Sequence, residues 1–275
     1  MSTLYVVATP IGNLSDISQR ATEILSTVST VAAEDTRVSR KLLNHIGVSP
    51  HLESLHEHTS PERLQSLVEK LELGDMAVVS DAGTPGISDP GSSLVAAAVE
   101  AGHDVIPLPG PSAIVSALSI TGWSFDRFLF LGFLPRKKKD QLTTLNNAAH
   151  EPGPLVAYES PHRIKATLEN INQAFQDRQL VICRELTKFY EETFRGTAAQ
   201  AISHFDKQTK GEFVIVIQGA GKAANIEISD DEISGVIKNL KENGLSGRML
   251  VERAVEITSA PKNRVYQLSL SKDLK

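Results

Sequence analysis

The stretch Val78-Val79-Ser80-Asp81-Ala82-Gly83-Thr84-Pro85-Gly86-Ile87-Ser88-Asp89-Pro90-Gly91 decides how the chain is read. It is entered through a short apolar, β-branched run, residues 76–79, that suits a buried strand. It leaves through Asp89 and Pro90, which suit an N-cap and a first helical position. In between, three glycines (Gly83, Gly86, Gly91) and two prolines (Pro85, Pro90) set a backbone that bulkier residues would not follow. A loop of this kind at the carboxyl end of a strand is where open α/β sheets receive ligands. Its charged side chains are Asp81 and Asp89, with no Lys or Arg beside the glycines as in a GxxxxGK[ST] phosphate loop. Carboxylates repel phosphate and suit a ligand that offers hydroxyls or positive charge, such as a ribose or a sulfonium. For this loop taken alone, a rigid structural turn is the alternative.

The same arrangement recurs on either side. Residues 4–8 read as a strand that runs into Thr9-Pro10-Ile11-Gly12-Asn13-Leu14, before a helix expected near Ser15 and Asp16. Residues 104–108 run into Pro109-Gly110-Pro111-Ser112-Ala113, with Ser112 as N-cap. Three strand–loop–helix units thus place stiff loops at one sheet edge, which turn chemistry alone explains poorly. Residues 30–33 end in Glu34-Asp35-Thr36-Arg37. There Arg37, Arg40 and Lys41 are candidates for a phosphate backbone, or else surface bases on a capped helix. His56 and His58 point the same way on an extended segment, but no further Cys or His lies at ligand spacing, so no metal is expected. Ser60-Pro61 opens a covering helix with Leu64, Leu67, Val68 and Leu71 on one face.

With 275 residues and 41% hydrophobic content, the chain can build two α/β cores with something left over. A net charge of -5 excludes a polycation that coats nucleic acid, so RNA contact has to come from local patches. The one cysteine, Cys183, lies in an apolar run and reads as a buried thiol in a reducing compartment. No apolar run approaches the roughly 18 residues of a membrane span, and a soluble, cytoplasmic protein without a leader is expected. The expected divisions are an α/β domain at 1–121, a second at 122–222, a small polar linker at 220–225 and a helical module at 226–275.

In the second domain, Arg136-Lys137-Lys138-Lys139 stands at a helix amino end, where the dipole disfavours cations, so RNA phosphate or plain solvation has to favour it. Tyr158-Glu159-Ser160-Pro161-His162-Arg163 reads as a strand-to-helix junction capped by Ser160, with Tyr158 able to stack on adenine or a splayed base. Arg184-Glu185-Leu186-Thr187-Lys188 follows the next strand. For its charges, as for Glu159 and Arg163, an ion pair at a domain interface is the alternative to a place in the cleft. The tail reads as three short helices resembling a helix-turn-helix. Its Arg248, Lys262 and Arg264 could meet RNA, or the module could serve packing or dimerisation.

Taken together, residues 4–14, Ala33-Glu34-Asp35-Thr36-Arg37, the 80–91 loop and Pro109-Gly110-Pro111-Ser112-Ala113 resemble the tetrapyrrole-methylase-type S-adenosylmethionine methyltransferases. They are most similar to the ribosomal RNA small subunit methyltransferase I branch. The likeness continues through residues 128–135, 158–163 and 183–188 and covers about four fifths of the chain. It implies a two-domain α/β tetrapyrrole-methylase-like fold with S-adenosylmethionine bent into the cleft between domains, and a homodimer. It further implies 2'-O-methylation of a decoding-region cytidine, cytidine 1402, of 16S rRNA in the assembled small subunit. The donor is expected at Pro10, Gly12, Leu14, Ser80, Asp81, Ala82, Gly83, Ile87, Ser112 and Ala113. The porphyrin-modifying members carry Gly-Asp-Pro where this chain has Ser80-Asp81-Ala82, which leaves Asp81 in common. Glu159 and Glu185 are the expected proton acceptors. Arg37, Arg40, Lys41, Arg136, Lys137, Arg163, Arg184 and Lys188 are the expected RNA contacts. A tetrapyrrole or protein side-chain methylase of the same superfamily, and a ribosome-binding protein without chemistry, are the rival readings.

Overall fold

Five short runs of small and apolar residues form a fully parallel sheet: β1 (Thr3–Val7), β2 (Thr30–Ala33), β3 (His51–Ser54), β4 (Met76–Val79) and β5 (Asp104–Leu108), in the order β3-β2-β4-β1-β5. The computed structural model describes residues 2–206, 210–221, 229–258 and 260–270. β2 and β4 are buried along their whole length, as parallel strands covered on both faces must be. Their side chains alternate between two cores. Val31, Ala77 and Val79 pack with Leu25 of α1 (Gln19–Thr27) and Leu43 of α2 (Thr36–His45). Ala32, Met76 and Val78 pack with Leu67 of α3 (Pro61–Glu72) and Leu94 of α4 (Ser92–Glu100).

The second sheet is mixed: β6 (Leu129–Phe133), β7 (Leu155–Glu159), β8 (Gln179–Arg184), β9 (Glu192–Thr197) and β10 (Phe213–Ile217), in the order β6-β7-β10-β8-β9. Only β6 and β7 run parallel within it; β10 pairs antiparallel with both β7 and β8. One face carries α6 (Lys138–Asn147), α7 (Ile164–Phe175) and α8 (Ala198–His204) through Leu145, Leu168, Ile171 and Ala201. The other face receives α5 (Ala113–Ser119). Its Ile114, Ala117 and Leu118 pack on Val156, Val181, Cys183 and Val214. That contact moves the division expected near residue 121. The apolar face of α5 belongs to the second core, although α5 follows the last strand of the first sheet, and both sheets lie in one compact unit, Met1–Gly219.

The second unit, Ala220–Lys275, contains α9 (Asp230–Glu242), α10 (Gly247–Thr258) and α11 (Lys262–Ser269) around Ile233, Ile237, Leu250, Ala254 and Val265. Ser229 caps α9 in a reciprocal box with Glu232. The tail bases considered for RNA have carboxylate partners inside this module. Arg248 Nε is 2.7 Å and Lys262 Nζ 4.0 Å from Glu252, and Arg264 reaches Asp230 at 2.7 Å. Most of the linker expected at 220–225 lies outside the described residues. Among the described residues, no helix is long and apolar enough to cross a membrane.

Three helix starts differ from the sequence reading. α1 opens at Gln19 under a Ser18 cap, after a single turn at Leu14–Asp16 capped by Asn13. α4 opens at Ser92 rather than Pro90, because Gly91 takes φ 140° and becomes the N-cap, which leaves Asp89 outside the helix. α7 opens at Ile164 after a turn through 161–163, with the Arg163 and Ile164 N–H groups both donating to the Ser160 carbonyl.

The edge strand β3 is tied to α3 by one buried carboxylate. Glu53 is 6% exposed and accepts from His51 Nε2 at 2.9 Å, from Arg63 and from Lys70. Burial opposes its ionisation, but Lys70, Arg63 and His51 more than offset that and hold the carboxyl down at about 2. Glu53→Ala is expected to cost roughly 2–3 kcal/mol in urea unfolding at pH 7. This is at or below the low end for a broken buried pair, because both cations are over a third exposed. The folded carboxyl is depressed, so its contribution is present above the ordinary 4.5 and is lost as pH falls toward about 2. The difference between wild type and variant should shrink across that window.

Candidate functional site

The three glycine- and proline-rich loops leave adjacent strands of the first sheet and are locked to one another. Thr9 and Gly83 exchange backbone hydrogen bonds, Thr9 N–H to the Gly83 carbonyl at 2.8 Å and Gly83 N–H to the Thr9 carbonyl at 3.1 Å. Thr9 Oγ1 also donates to the Ser80 carbonyl at 3.1 Å. The loop after β5 closes on the same place. A Cβ on Gly110 would stand 2.9 Å from the Ala8 Cβ, so only glycine permits that approach. Ser112 then caps α5 by accepting from Val115 N–H.

Between this sheet edge and the face of the second sheet lies a cavity of about 840 Å³, within the range of small-molecule sites. Of the expected donor residues, Ala82, Gly83, Ile87, Ser112 and Ala113 line it. Opposite them stand Phe130, Tyr158, Cys183 and Val214 of the second sheet. The lining is largely apolar and includes no Lys, Arg or His, and its acids are Asp89, Glu159 and Glu212. Such a donor set fits a cationic ligand with an aromatic base and hydroxyls, and disfavours a phosphate. Ser88 in its lining holds φ 65°, and Glu185 and Thr187, on either side of the lining residue Leu186, hold 51° and 65°, a conformation that costs energy and clusters at ligand sites.

The remaining expected donor residues stand beside the cavity. Ser80 is buried behind the loop, and Pro10 is buried. Asp81 faces a neighbouring depression of about 460 Å³ with Glu34, Asp35, Arg37, Ser54 and His56. There Asp81 accepts from Asp35 N–H at 3.0 Å and its own N–H donates to Glu34 at 3.4 Å. Burial, together with the charge of Asp81, pushes the Glu34 carboxyl up, while Arg37 holds Asp35 well below the carboxylate range. Gly12 and Leu14 are exposed, and Gly12 has a second duty. A Cβ there would stand 2.5 Å from Lys188 Cγ, 2.7 Å from Thr187 Oγ1 and 2.8 Å from the Leu186 carbonyl, so the first-sheet loop lies directly against the loop that follows β8.

The two carboxylates expected to accept a proton prove to be engaged elsewhere. The Glu159 side chain is fully buried; Oε1 accepts from Ser160 N–H at 2.7 Å, and Oε2 from Thr167 Oγ1 at 2.6 Å and from Arg163 at 3.1 Å. With both oxygens satisfied and no solvent access, it is a strut for the start of α7. Arg163 in turn donates to the Leu134 carbonyl at 2.6 Å. Glu185 Oε1 accepts from Lys188 Nζ and from Glu212 N–H, both at 3.0 Å. Burial raises its carboxyl, but Lys188 and the Glu212 N–H outweigh that and hold it low, which makes it a weak acceptor.

The expected RNA contacts divide in the same way. Arg184 is tied to the Lys210 carbonyl at 2.6 Å and to Glu192 at 2.9 Å, and Lys188 bridges Glu185 and Glu212. Arg40 and Lys41 are exposed on one face of α2, where Arg37 is exposed too but paired with Asp35 at 2.6 Å, and Arg136 and Lys137 are exposed before α6.

Sequence reasoning counted Asp89 with Asp81 among the loop carboxylates that suit a hydroxylated or cationic ligand, but it also read Asp89 as a helix cap and left it out of the expected donor residues. The signal was available in Gly91, whose glycine could take over the cap and release the acid. It also missed Phe189 and Tyr190 at the tip of the β8–β9 hairpin. They are 92% and 70% exposed and packed edge to face at 4.9 Å. Two aromatics inside an otherwise charged hairpin were the signal there. Burial, first, and then Glu34 and Asp81 push the Asp89 carboxyl up to about 6, with hydrogen bonding from Ser80 opposing. No group of metal-binding side chains occurs among the described residues.

Comparison with known proteins agrees with this geometry. Residues 3–202 match the family Tetrapyrrole (Corrin/Porphyrin) Methylases. Proteins named Ribosomal RNA small subunit methyltransferase I are similar over nearly their full length. The one from Synechocystis sp. is 45% identical over 98% of this chain and 98% of its own, and the one from Haemophilus influenzae is 42% identical over 98% and 96%. Among solved structures, the methyltransferase CobJ superposes with a TM-score of 0.60 at 18% identity, covering 80% of this chain and 95% of its own. The cobalt precorrin-4 methyltransferase CbiF gives 0.54 at 16%, covering 78% and 94%. The chain is therefore a methyltransferase that belongs to the tetrapyrrole methylase family and, within it, to the ribosomal RNA small subunit methyltransferase I group.

Proposed function

We propose that this protein transfers the methyl group of S-adenosylmethionine to the ribose 2'-hydroxyl of a decoding-region cytidine in 16S rRNA of the small ribosomal subunit, acting in the cytoplasm as a homodimer. The observation that carries the reading is the cavity of about 840 Å³ between the sheets, apolar, acidic and free of cations in its lining, in a chain of this family. When bound, the donor supplies a methyl carbon already activated by its sulfonium.

The chain's own residues do the rest. Ala82, Gly83, Ile87, Ser112 and Ala113 would seat the donor, with Asp81 at its margin and Ile11, from the Pro10–Leu14 loop, closing one side. Tyr158 and Phe130, packed edge to face at 5.1 Å, offer an aromatic wall. Alignment and exclusion of water account for most of the acceleration of such a displacement. Arg37, Arg40, Lys41, Arg136 and Lys137 would hold phosphates of the subunit RNA.

Transfer of labelled methyl to small subunits that lack this modification, followed by nuclease mapping, tests the reading. Label in a 2'-O-methylcytidine of the decoding region is expected. Label in free porphyrinogen and none in subunits would replace it with a tetrapyrrole methylase, and absence of donor binding in calorimetry with a binding protein. Gly12→Val forces the first loop away from the Leu186 carbonyl and is expected to lower turnover on the order of 10²-fold. Replacing Arg40, Lys41, Arg136 and Lys137 by Ala is expected to leave donor affinity unchanged and weaken subunit binding. The log–log salt slope of binding should fall by about 0.7–0.9 for each phosphate that is no longer neutralised.

A further inference from the structure

Two aromatic rings stand in water at the tip of the β8–β9 hairpin. Phe189 is 92% and Tyr190 70% exposed, and they meet edge to face, with 4.9 Å between centroids and 88° between planes. Neither belongs to the core of either sheet. Apolar surface left in water forgoes the free energy of burial, so fold stability does not account for the pair.

The backbone beneath the rings is tied into one shape. Thr187 N–H donates to Glu191 Oε2 at 2.9 Å, and the Lys188 and Glu191 N–H groups donate to the Glu185 and Lys188 carbonyls at 2.9 and 3.1 Å. Lys188 Nζ lies between Glu185 and Glu212, 3.0 and 2.9 Å away. A turn held in this way presents its rings already placed, and a partner does not have to order them.

The surroundings say which partner fits. Leu186, three residues before Phe189, lines the cavity, and its carbonyl and Thr187 stand against Gly12 of the first-sheet loop. Three residues of chain span at most about 11 Å, so the rings lie within reach of whatever enters the cavity from outside. Two such rings offer roughly 300–500 Å² of contact, well short of the ~800 Å² that each partner brings to a stable protein interface. Their neighbours in the turn, Lys188 and Glu191, are charged, which limits the patch to the rings themselves. At the same end of the sheet, the Lys210 carbonyl accepts from Arg184 Nε at 2.6 Å, while the Lys210 residue is exposed and has no carboxylate partner among the described residues. Ring faces open to solvent beside an unpaired cation suit single-stranded nucleic acid, whose bases stack and whose phosphates seek positive charge.

We infer that Phe189 and Tyr190 form a stacking platform for an unpaired base of the subunit RNA that flanks the methylated nucleotide, with Lys210 on a neighbouring phosphate. This rests on reading the protein as a ribose methyltransferase of 16S rRNA. Stacking accepts any base, so the platform holds the strand at the mouth of the cavity and does not select the nucleotide within it.

The test uses the full chain and small subunits that lack the modification. Phe189→Leu with Tyr190→Leu keeps apolar bulk and removes the ring faces. It is expected to weaken subunit binding about 5- to 150-fold and to leave the donor Kd by calorimetry and the melting temperature unchanged. Phe189→Tyr with Tyr190→Phe keeps both rings and should bind as wild type does. Stacking neutralises no phosphate, so the log–log salt slope of the double Leu variant should equal that of wild type. Lys210→Ala should lower that slope by about 0.7.

Ribose label from wild type, with full subunit affinity in the double Leu variant, would overturn the platform alone. So would a double Leu variant that sediments as a smaller species than wild type in the absence of RNA, because the rings would then belong to a contact between copies of the chain. Subunit affinity that falls only in step with donor affinity would overturn it as well. Wild type that neither binds nor labels subunits would overturn both this inference and the reading on which it rests.

Discussion

The exchange of backbone hydrogen bonds between Thr9 and Gly83 is the constraint on which the site depends. β1 and β4 are neighbours in a parallel sheet, so the chain leaves both strands at the same edge and in the same direction. Left to themselves, two such loops would diverge. Pairing them requires Gly83 to take φ 81°, where a side chain is strained, and is joined by the Thr9 hydroxyl donating to the Ser80 carbonyl. Once the two loops are one unit, the loop after β5 can rest Gly110 on Ala8, and the cavity gains a floor that does not adapt to its ligand. A floor assembled before binding spares the ordering entropy that loops of this length would otherwise lose on binding.

The second sheet completes the cavity by two routes, and each uses residues whose chemistry looks ordinary in sequence. α5 crosses from the last strand of the first sheet onto β8 and β10 with Ile114, Ala117 and Leu118, which makes Ser112, at the cavity, the cap of a helix rooted in the other core. The hairpin after β8 reaches back to Gly12, with Leu186 and Thr187 against its Cα. Burying apolar area at both ends makes the two sheets one compact unit rather than two bodies on a linker. Ion pairs such as Glu185–Lys188–Glu212 then hold the hairpin's shape, which explains why several of the charges nearest the cavity are unavailable to a substrate.

The strands of the first sheet and the clustering of its loops were legible because they rest on local signals: β-branched runs, glycines and prolines at strand ends, and hydroxyl caps such as Ser60 and Ser112. The placement of β10 between β7 and β8 was not legible, since no local pattern states which strand pairs with which. The site was legible to the extent that a loop names its own residues. Asp89 and Glu159 show where that ends. Both are acids beside a proline or a serine at a strand-to-helix junction, and in sequence they look alike. Gly91 frees Asp89 by becoming the cap itself, while Arg163 and Thr167, one and two turns of chain further on, consume Glu159. Which acid remains available is decided by partners whose side chains converge only in the folded chain, and propensity carries no information about them.

The division of charge in the molecule follows from the chemistry of the two ligands. A net charge of -5 with exposed bases on α2 and before α6 keeps attraction for phosphate on chosen surfaces. The cavity interior carries the opposite sign and no base. A cationic donor and a polyanionic RNA must meet there, so an arginine inside it would favour the phosphates and repel the sulfonium, and a carboxylate on the outer faces would do the reverse. Ion pairing within the hairpin solves the part of this problem that burial creates. Arg184 and Lys188 are chain neighbours of the lining residues Cys183 and Leu186, and each is ion-paired, Arg184 with Glu192 and Lys188 with Glu185 and Glu212. The raised carboxyl of Asp89 is the outcome of that arrangement. It is an acid surrounded by acids and kept apart from the molecule's cations, and its unfavourable charge is relieved when either a cation or a proton arrives.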